Sequence, residues 1–378
     1  MVLEAPSIRM EEPTGTPGAT PPETPPPETP MTRMFQEAAE APGAVRRQLS
    51  ANAAVMAHLG RTLRARKPGL VVTLGRGSSD HAATYAQYLI ETRLGVATTS
   101  AAPSVSSLYA ATPSLDGALC LAISQSGKSP DLLSAAQAAK DGGAYLVALV
   151  NAEDSPLAEL ADAVVPLGAG PELSVAATKS YITALTAIAQ LVAAWGEDPA
   201  LSDALAALPE HLEAAWELDW SAGVTRLKTA RSLYVIGRGV GFAVAQEAAL
   251  KFKETCGLHA EAFSAAEVRH GLMALVGPDF PALVFSQDDE SRASVEHLVG
   301  ELLAKNSDVL FAGAPLAGSG PGAAIALPVL TGDATAGDPA LQPILLVQSF
   351  YRMVNALALA RGYDPDSPPH LNKVTETL

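Results

Sequence analysis

The chain is 378 residues long, Ala-rich and poor in aromatics, with 25 basic against 40 acidic residues and a formal net charge of −15. This acidity argues against a nucleic-acid-binding surface, and the two cysteines, Cys120 and Cys256, are too few for a disulfide framework or a cysteine metal cluster. The length suffices for two domains, each burying its own core.

Residues 1–30 are dominated by Pro, Thr, Glu and Gly and read as a disordered leader, because they cannot bury enough apolar surface to fold. The start of the chain lacks the basic, apolar and small-residue succession of a signal peptide. No run is expected to reach the ~18 apolar residues of a membrane span, so a cytoplasmic protein with no membrane partner is expected. From Met31 to Arg66 a helical pattern runs through Phe35, Val45, Leu49, Val55 and Leu59, with Pro42-Gly43 predicted as the break between two helices. This arm is expected to pack on the first domain or on a second subunit. Leu70 to Leu74 is predicted as a strand, ended by Gly75-Arg-Gly-Ser-Ser79 and followed by a helix over Asp80 to Arg93.

The apolar run Gly117 to Ile123 reads as a buried strand, and Asp131 to Lys140 as a helix. Between them stand Ser124, Gln125, Ser126 and Ser129, with Gly127 for backbone freedom and Pro130 suited to the first helical position. A strand that breaks into hydroxyls and then opens a helix offers an anion the positive end of a dipole. The loop therefore reads as a phosphate cradle; an ordinary Ser-rich turn would look the same in isolation. In a parallel sheet the turn at Ser78-Ser79 would lie on the same edge. Tyr145 to Val150 and Ala163 to Leu167 are the next strands. Glu172 to Ser180 leads into a long helix whose apolar positions Ile182, Leu185, Ile188, Val192 and Trp195 keep helical spacing. Pro199 to Trp220 is predicted mostly helical.

The second half repeats the first. Leu233-Tyr-Val-Ile-Gly-Arg-Gly239 matches Val71-Val-Thr-Leu-Gly-Arg-Gly77, and Val284-Phe-Ser-Gln287 matches Ala122-Ile-Ser-Gln125, both at an offset of 162. A constant offset across two strand-to-turn elements indicates a duplicated domain. The copies differ in chemistry: Ser126-Gly127 becomes Asp288-Asp289 and Ser78-Ser79 becomes Val240-Gly241, so the second copy should repel a phosphate. In exchange it carries Lys251 and Glu254 where the first has Leu89 and Thr92.

Lys251 and Glu254 share a helix face, which by spacing alone also describes a surface ion pair. The segment His259-Ala-Glu-Ala-Phe-Ser-Ala-Ala-Glu-Val-Arg-His-Gly271 holds two histidines, two glutamates and an arginine, and by itself reads equally as a solvated helix face. No spacing resembles a metal site, so no metal or other cofactor is expected. The Pro-rich tail Gly362 to Leu378 reads as extended, with Lys373 placed to fold over a site as a lid.

The duplicated domain, the Ser-Gln-Ser-Gly loop, the Lys-Phe-Lys-Glu helix, the His-Ala-Glu-Ala…Arg-His-Gly segment and the Leu-Asn-Lys-Val-Thr tail together resemble sugar isomerase (SIS) proteins over about residues 34–378. More narrowly they resemble the isomerase half of glucosamine-6-phosphate synthase and the isomerase-type glucosamine-6-phosphate deaminases. The resemblance implies an α/β fold of two tandem SIS domains, each a doubly wound parallel sheet flanked by helices. The expected segments are a leader (1–30), a helical arm (31–66), a first, phosphate-binding domain (67–198), a helical linker (199–220), a second domain with the catalytic helix (221–360) and a tail (361–378). It implies phosphate contacts from Ser79, Ser124, Gln125, Ser126 and Ser129, and sugar contacts from Ser78 and the backbone near Val175. Glu254 is implied as the base that moves a proton between C1 and C2. His270 is implied as the ring-opening group, reaching into the neighbouring subunit of a homodimer, with Lys373 beside the carbonyl and Lys251 as a supporting cation. Two positions depart from the pattern: Leu272 stands where relatives commonly have Pro, and Arg76 where they often have a small residue.

The chemistry is coherent without the resemblance. Ring opening needs a proton shuttle such as histidine, and the open chain then needs a carboxylate between adjacent carbons. Lysines can stabilise an enolate-like oxygen, and holding a remote phosphate orients the reacting carbons. No glutaminase-like segment with a cysteine precedes residue 70, so deamination of glucosamine 6-phosphate to fructose 6-phosphate is the expected direction. Galactosamine 6-phosphate or a plain aldose–ketose substrate is the alternative. A sugar-phosphate sensor is a third reading, which the joint presence of Glu254, His270 and Lys373 disfavours.

Overall fold

Two helices, α1 (Arg33–Ala39) and α2 (Ala41–Arg66), open the chain in a computed structural model that describes residues 31–278, 280–316, 323–330 and 337–373. The leader expected over residues 1–30 and the last residues of the expected tail, 374–378, lie outside the described residues. The helix break falls at Glu40 rather than at Pro42-Gly43, because Pro42 sits in the first turn of α2, where an intrahelical N–H is not needed.

The first sheet is built from β1 (Leu70–Leu74), α3 (Ser78–Leu94), β2 (Ala97–Ser100), the short α4 (Ser104–Ser107), β3 (Leu119–Ser124), α5 (Pro130–Asp141), β4 (Tyr145–Val150), α6 (Pro156–Leu160) and β5 (Ala163–Pro166). Its strands are all parallel, in the order β2-β1-β3-β4-β5. Three helices follow, α7 (Lys179–Gly196), α8 (Pro199–Trp216) and α9 (Ser221–Leu227). The second unit comprises β6 (Ser232–Gly237), α10 (Phe242–Cys256), β7 (His259–Ser264), β8 (Ala282–Phe285), α11 (Arg292–Ala304), β9 (Val309–Ala312), β10 (Ile325–Leu327) and α12 (Gln342–Ala360). Its parallel order, β10-β9-β8-β6-β7, is the first sheet's order again: second strand, first, third, fourth, fifth. The fold is α/β with two doubly wound sheets, and the duplication read at an offset of 162 is a duplication of topology.

Strand alternation places the core. In β3, Leu119, Leu121 and Ile123 face a central core, while Cys120 and Ala122 face α5 and α6 with Leu132, Ala136 and Leu157. In β6, Leu233 and Val235 join the same central core, and Tyr234 and Ile236 face α11 with Val295 and Leu298. Both sheets are covered on both faces, as all-parallel sheets require. α3 and α10, the first helix of each unit, pack against one another, which brings the carboxyl end of β1 beside α10.

The turn after β1 explains why α3 starts at Ser78 and not at Asp80. Gly77 has φ +53, a conformation that a side chain disfavours, and its carbonyl accepts the N–H of Asp80 and His81, so the helix begins at once. Gly239, its counterpart, has φ +59. The histidine-rich segment read as a helix face begins instead as the edge strand β7, paired to β6.

Among the described residues one helix, Pro339–Ala360, is long and apolar enough by composition to cross a membrane, contrary to the expectation that no run would be, but 78% of its apolar 18-residue stretch is buried inside the fold. It packs on α8 and α10 and hydrogen-bonds through Gln348 and Ser349, as a core helix does. Cys120 and Cys256 are buried, and desolvation lifts their thiols to about 12 and about 11, which leaves both unreactive.

Candidate active site

Chain order reverses between β1 and β3, neighbours from which the sheet is wound in opposite directions, and open α/β sheets bind ligands outside the carboxyl ends of strands at that point. Here β1 delivers Ser78 and Ser79 to the first turn of α3, and β3 delivers Ser124 to the loop before α5. Two helix N-termini thus open onto one edge, each contributing positive potential.

A cleft of about 670 Å³ lies there. Ser78, Ser79, Ser124, Gln125, Ser126 and Ser129 form one wall, Lys251 and Glu254 of α10 a second, and Val175 with the tail residues Leu371, Asn372 and Lys373 a third. The loop is held by the Ser124 hydroxyl, which accepts the N–H of Gly127 at 2.9 Å. Gly127 has φ +62, and a Cβ there would fall onto the Ser155 hydroxyl, so the loop's path depends on glycine. Arg76 reaches across the mouth to Asp131, with Nε at 2.9 Å and Nη2 at 2.7 Å from one carboxylate oxygen. Asp131 is buried in the first turn of α5, so Arg76 neutralises a carboxylate that would otherwise oppose an anion.

The floor is a charged network that sequence spacing revealed only in part. Lys251 is buried, not a surface cation: its Nζ lies 2.6 Å from Glu254 Oε2, 3.3 Å from Glu247 Oε1 and 3.3 Å from the Ser78 hydroxyl. Glu247, fully buried, also accepts the hydroxyls of Ser78 at 3.1 Å and Tyr351 at 3.0 Å, and its other oxygen lies 3.0 Å from His81 Nδ1. Desolvation pushes the Glu247 carboxyl up, but Lys251, His81 and the Ser78 hydroxyl outweigh it and hold the group below the usual carboxylate range. Desolvation likewise disfavours charged Lys251, yet the two carboxylates carry its ammonium above the usual lysine range. Burial and the nearby Glu247 charge raise the Tyr351 hydroxyl well above its ordinary value. Glu247 was legible as a signal: with Lys251 and Glu254 it makes a charged stripe at i, i+4, i+7 on α10. His81 offers no such signal, since only the packing of α3 on α10 brings it to Glu247.

The tail lies over the cleft. Lys373 Nζ donates to the Ser174 carbonyl at 2.6 Å and lies 3.6 Å from Glu172, a buried carboxylate that also accepts the N–H groups of Thr178 and Ser180. His270 is not in this cleft. It is exposed, in the turn after Glu267–Arg269, and its N–H is bonded to the Glu267 carbonyl. Leu272, in the next turn, accepts the Tyr234 hydroxyl through its carbonyl at 3.2 Å. One end of the cleft therefore suits an anion and the other offers a carboxylate and two lysines, the pieces of proton transfer next to a carbonyl.

Comparison with known proteins places these features. The SIS domain family matches residues 66–194 and 226–312. Glutamine–fructose-6-phosphate aminotransferase (isomerizing) from Aeropyrum pernix is 35% identical over 321 residues, covering 81% of this chain and 51% of that protein. The chain spans about half the length of the curated relatives it matches. A structure from Silicibacter pomeroyi DSS-3, described as a phosphosugar isomerase, superposes with a TM-score of 0.82 at 44% identity, covering 89% of this chain and all of that one. The C-terminal domain of glucosamine-fructose-6-phosphate aminotransferase from Francisella tularensis shares the fold, with a TM-score of 0.78 at 23% identity over 91% of this chain and all of that one.

Proposed function

The chain belongs to the SIS domain family, and on that premise we propose that it is an isomerising glucosamine-6-phosphate deaminase. The observation that carries the reading is the meeting, in one cleft, of the hydroxyl loop of one sheet with the Lys251–Glu254 pair of the other. Described relatives include phosphosugar isomerases and aminotransferases of hexose phosphate, which supports a sugar phosphate as the ligand class.

The sugar's phosphate docks on Ser79, Ser124, Gln125, Ser126 and Ser129, and Ser78 with the backbone at Val175 holds the sugar hydroxyls. After ring opening, Glu254 takes the proton from C2 and returns it to C1. With a second proton passing from the amine nitrogen to O1, that converts the C1 aldehyde and C2 amine into a C1 alcohol and a C2 imine, with no net change in oxidation state. Water then adds at C2 and ammonia leaves, so glucosamine 6-phosphate and water give fructose 6-phosphate and ammonia. Lys251, held in the ammonium form by the two carboxylates, fixes one oxygen of Glu254 at 2.6 Å. Lys373 stands on the tail to stabilise oxyanion character at the carbonyl. His270, exposed and outside its own chain's cleft, opens the ring in the cleft of a second subunit, so the active unit is a homodimer.

Ammonium release from glucosamine 6-phosphate tests the reading, with galactosamine 6-phosphate, glucose 6-phosphate and Glu254→Gln run beside it. Release from the gluco amino sugar, reduced by about two to four orders of magnitude in Glu254→Gln, is expected for loss of a general base. Interconversion of glucose and fructose phosphates without ammonium release would move the substrate to plain aldose–ketose phosphates. Binding without turnover would make the protein a sensor.

A further inference from the structure

Helix α1 touches both segments of the cleft's third wall, the Val175 loop and the tail, while lining no part of the cleft itself. Its buried Glu37 accepts the backbone N–H of Leu173, and of Ser174 at 3.1 Å, in the loop that carries Val175. The carbonyl of the same Ser174 accepts Lys373 Nζ. Glu40, capping the end of α1, pairs at 2.5 Å with Lys179, which starts α7 where that loop ends. At its other end α1 is held by the tail: both oxygens of the Asp366 carboxylate accept α1 N–H groups, from Arg33 and Met34, each at 2.8 Å. The base under α1 is fixed, because Phe35 packs edge-on against Trp216 of α8 and the Ala38 carbonyl takes a hydrogen bond from Gln348 of α12.

We infer that α1 is a clasp coupling the Val175 loop to the C-terminal tail, and that Glu37 is a positioning residue which sets where Lys373 stands. This rests on the proposed sugar-phosphate reaction for its kinetic consequence, but the coupling itself does not. Ser174 is gripped from both sides, its N–H by Glu37 and its carbonyl by Lys373, so a shift of this one residue moves the lysine and the cleft-lining Val175 together. The phosphate wall is built on β1, β3, α3 and α5 and shares none of these contacts. Glu37 should therefore act on turnover and leave the binding of inorganic phosphate unchanged.

The test uses Glu37→Gln, which keeps size but turns an N–H donor toward backbone N–H groups. Hydrogen exchange of residues 172–178 and 363–373 is measured together with kcat and the Kd of inorganic phosphate. Faster exchange in both segments, a phosphate Kd within about twofold and kcat lower by about tenfold or more are expected for a misplaced group. In a Lys373→Ala background, Glu37→Gln should cost nothing further, since both act through one lysine. Asp366→Asn, which weakens the clasp from the tail side and leaves Glu37 intact, should also speed exchange in the loop, and it decides the matter if Glu37→Gln fails to fold. Faster exchange confined to the substituted side, or kcat losses that add in the double variant, would overturn the clasp. If the unsubstituted protein turns over no sugar phosphate, the proposed activity fails and the exchange data alone decide the coupling.

Discussion

Glu247 and Lys251, one turn apart on α10 and both fully buried, meet at 3.3 Å beneath the cleft. Each holds the other charged against desolvation, Glu247 below the usual carboxylate range and Lys251 above the usual lysine range. For Glu247 the stability gained is present above its unfolded value of 4.5 and is lost as pH falls through the lower folded value; for Lys251 it is present below 10.5 and lost as pH rises through the higher one.

Lys251→Met should therefore reverse the acid limb of stability. Removing the ammonium leaves a buried carboxylate short of its main counter-charge, costing about 3–5 kcal/mol at neutral pH. Glu247 then titrates above its unfolded value, so the variant gains stability as pH falls toward about 5, where the unsubstituted protein gains none from this pair. Thermal melts across pH check the sign. A variant that loses stability on acidification in parallel with the original protein would show that the pair is not coupled.

Ser126→Asp places in the first copy the residue that the second copy carries at the matching position, Asp288. A carboxylate within about 4 Å of a phosphate should weaken sugar-phosphate binding by about a hundredfold or more, even with substantial screening. The melting temperature should stay nearly constant, since Ser126 is only partly buried. Titration calorimetry reads the affinity, and an unchanged Kd would remove this loop from the phosphate site.

Arg76 and Asp131 give a sharper version of the same question. Arg76→Ala uncovers the buried Asp131 carboxylate at the cleft, so affinity should fall by about tenfold or more for an unscreened like charge. If Arg76 acts through Asp131, adding Asp131→Asn restores most of the affinity. If Arg76 binds phosphate directly, the double variant stays weak. The ion pair, made by Nε at 2.9 Å and Nη2 at 2.7 Å, favours the first outcome.

What the sequence made legible follows a physical pattern. Buried parallel strands run apolar on both faces, so β1, β3, β4 and β6 announce themselves, and a repeated strand-turn unit betrays the duplicated topology. The Ser124–Ser129 loop and the Lys251–Glu254 face could be read because local spacing decides their geometry. Glu37, Glu247 and His81 could not be assigned roles, because their partners lie 137, 104 and 166 positions away at Ser174, Tyr351 and Glu247. The helix break falls two residues before Pro42, at Glu40, because proline both ends helices and starts them.

The place of His270 in the reaction yields the last prediction. Within one chain it is exposed and does not line the cleft, while Glu254 does. A histidine that serves a second subunit must complement in trans. Glu254→Gln and His270→Ala should each be nearly inactive, yet a mixture dissociated and reassociated in equal amounts should recover about a quarter of the original activity. Half of the dimers formed at random are hybrids, and in each hybrid one of two isologous sites draws Glu254 from one subunit and His270 from the other. Recovery of that fraction, with a mass measurement showing dimers, fits the trans arrangement. No recovery on subunit exchange that is shown to be complete would confine His270 to its own chain and leave the ring-opening role to another group, with His81 beside the network the first to test.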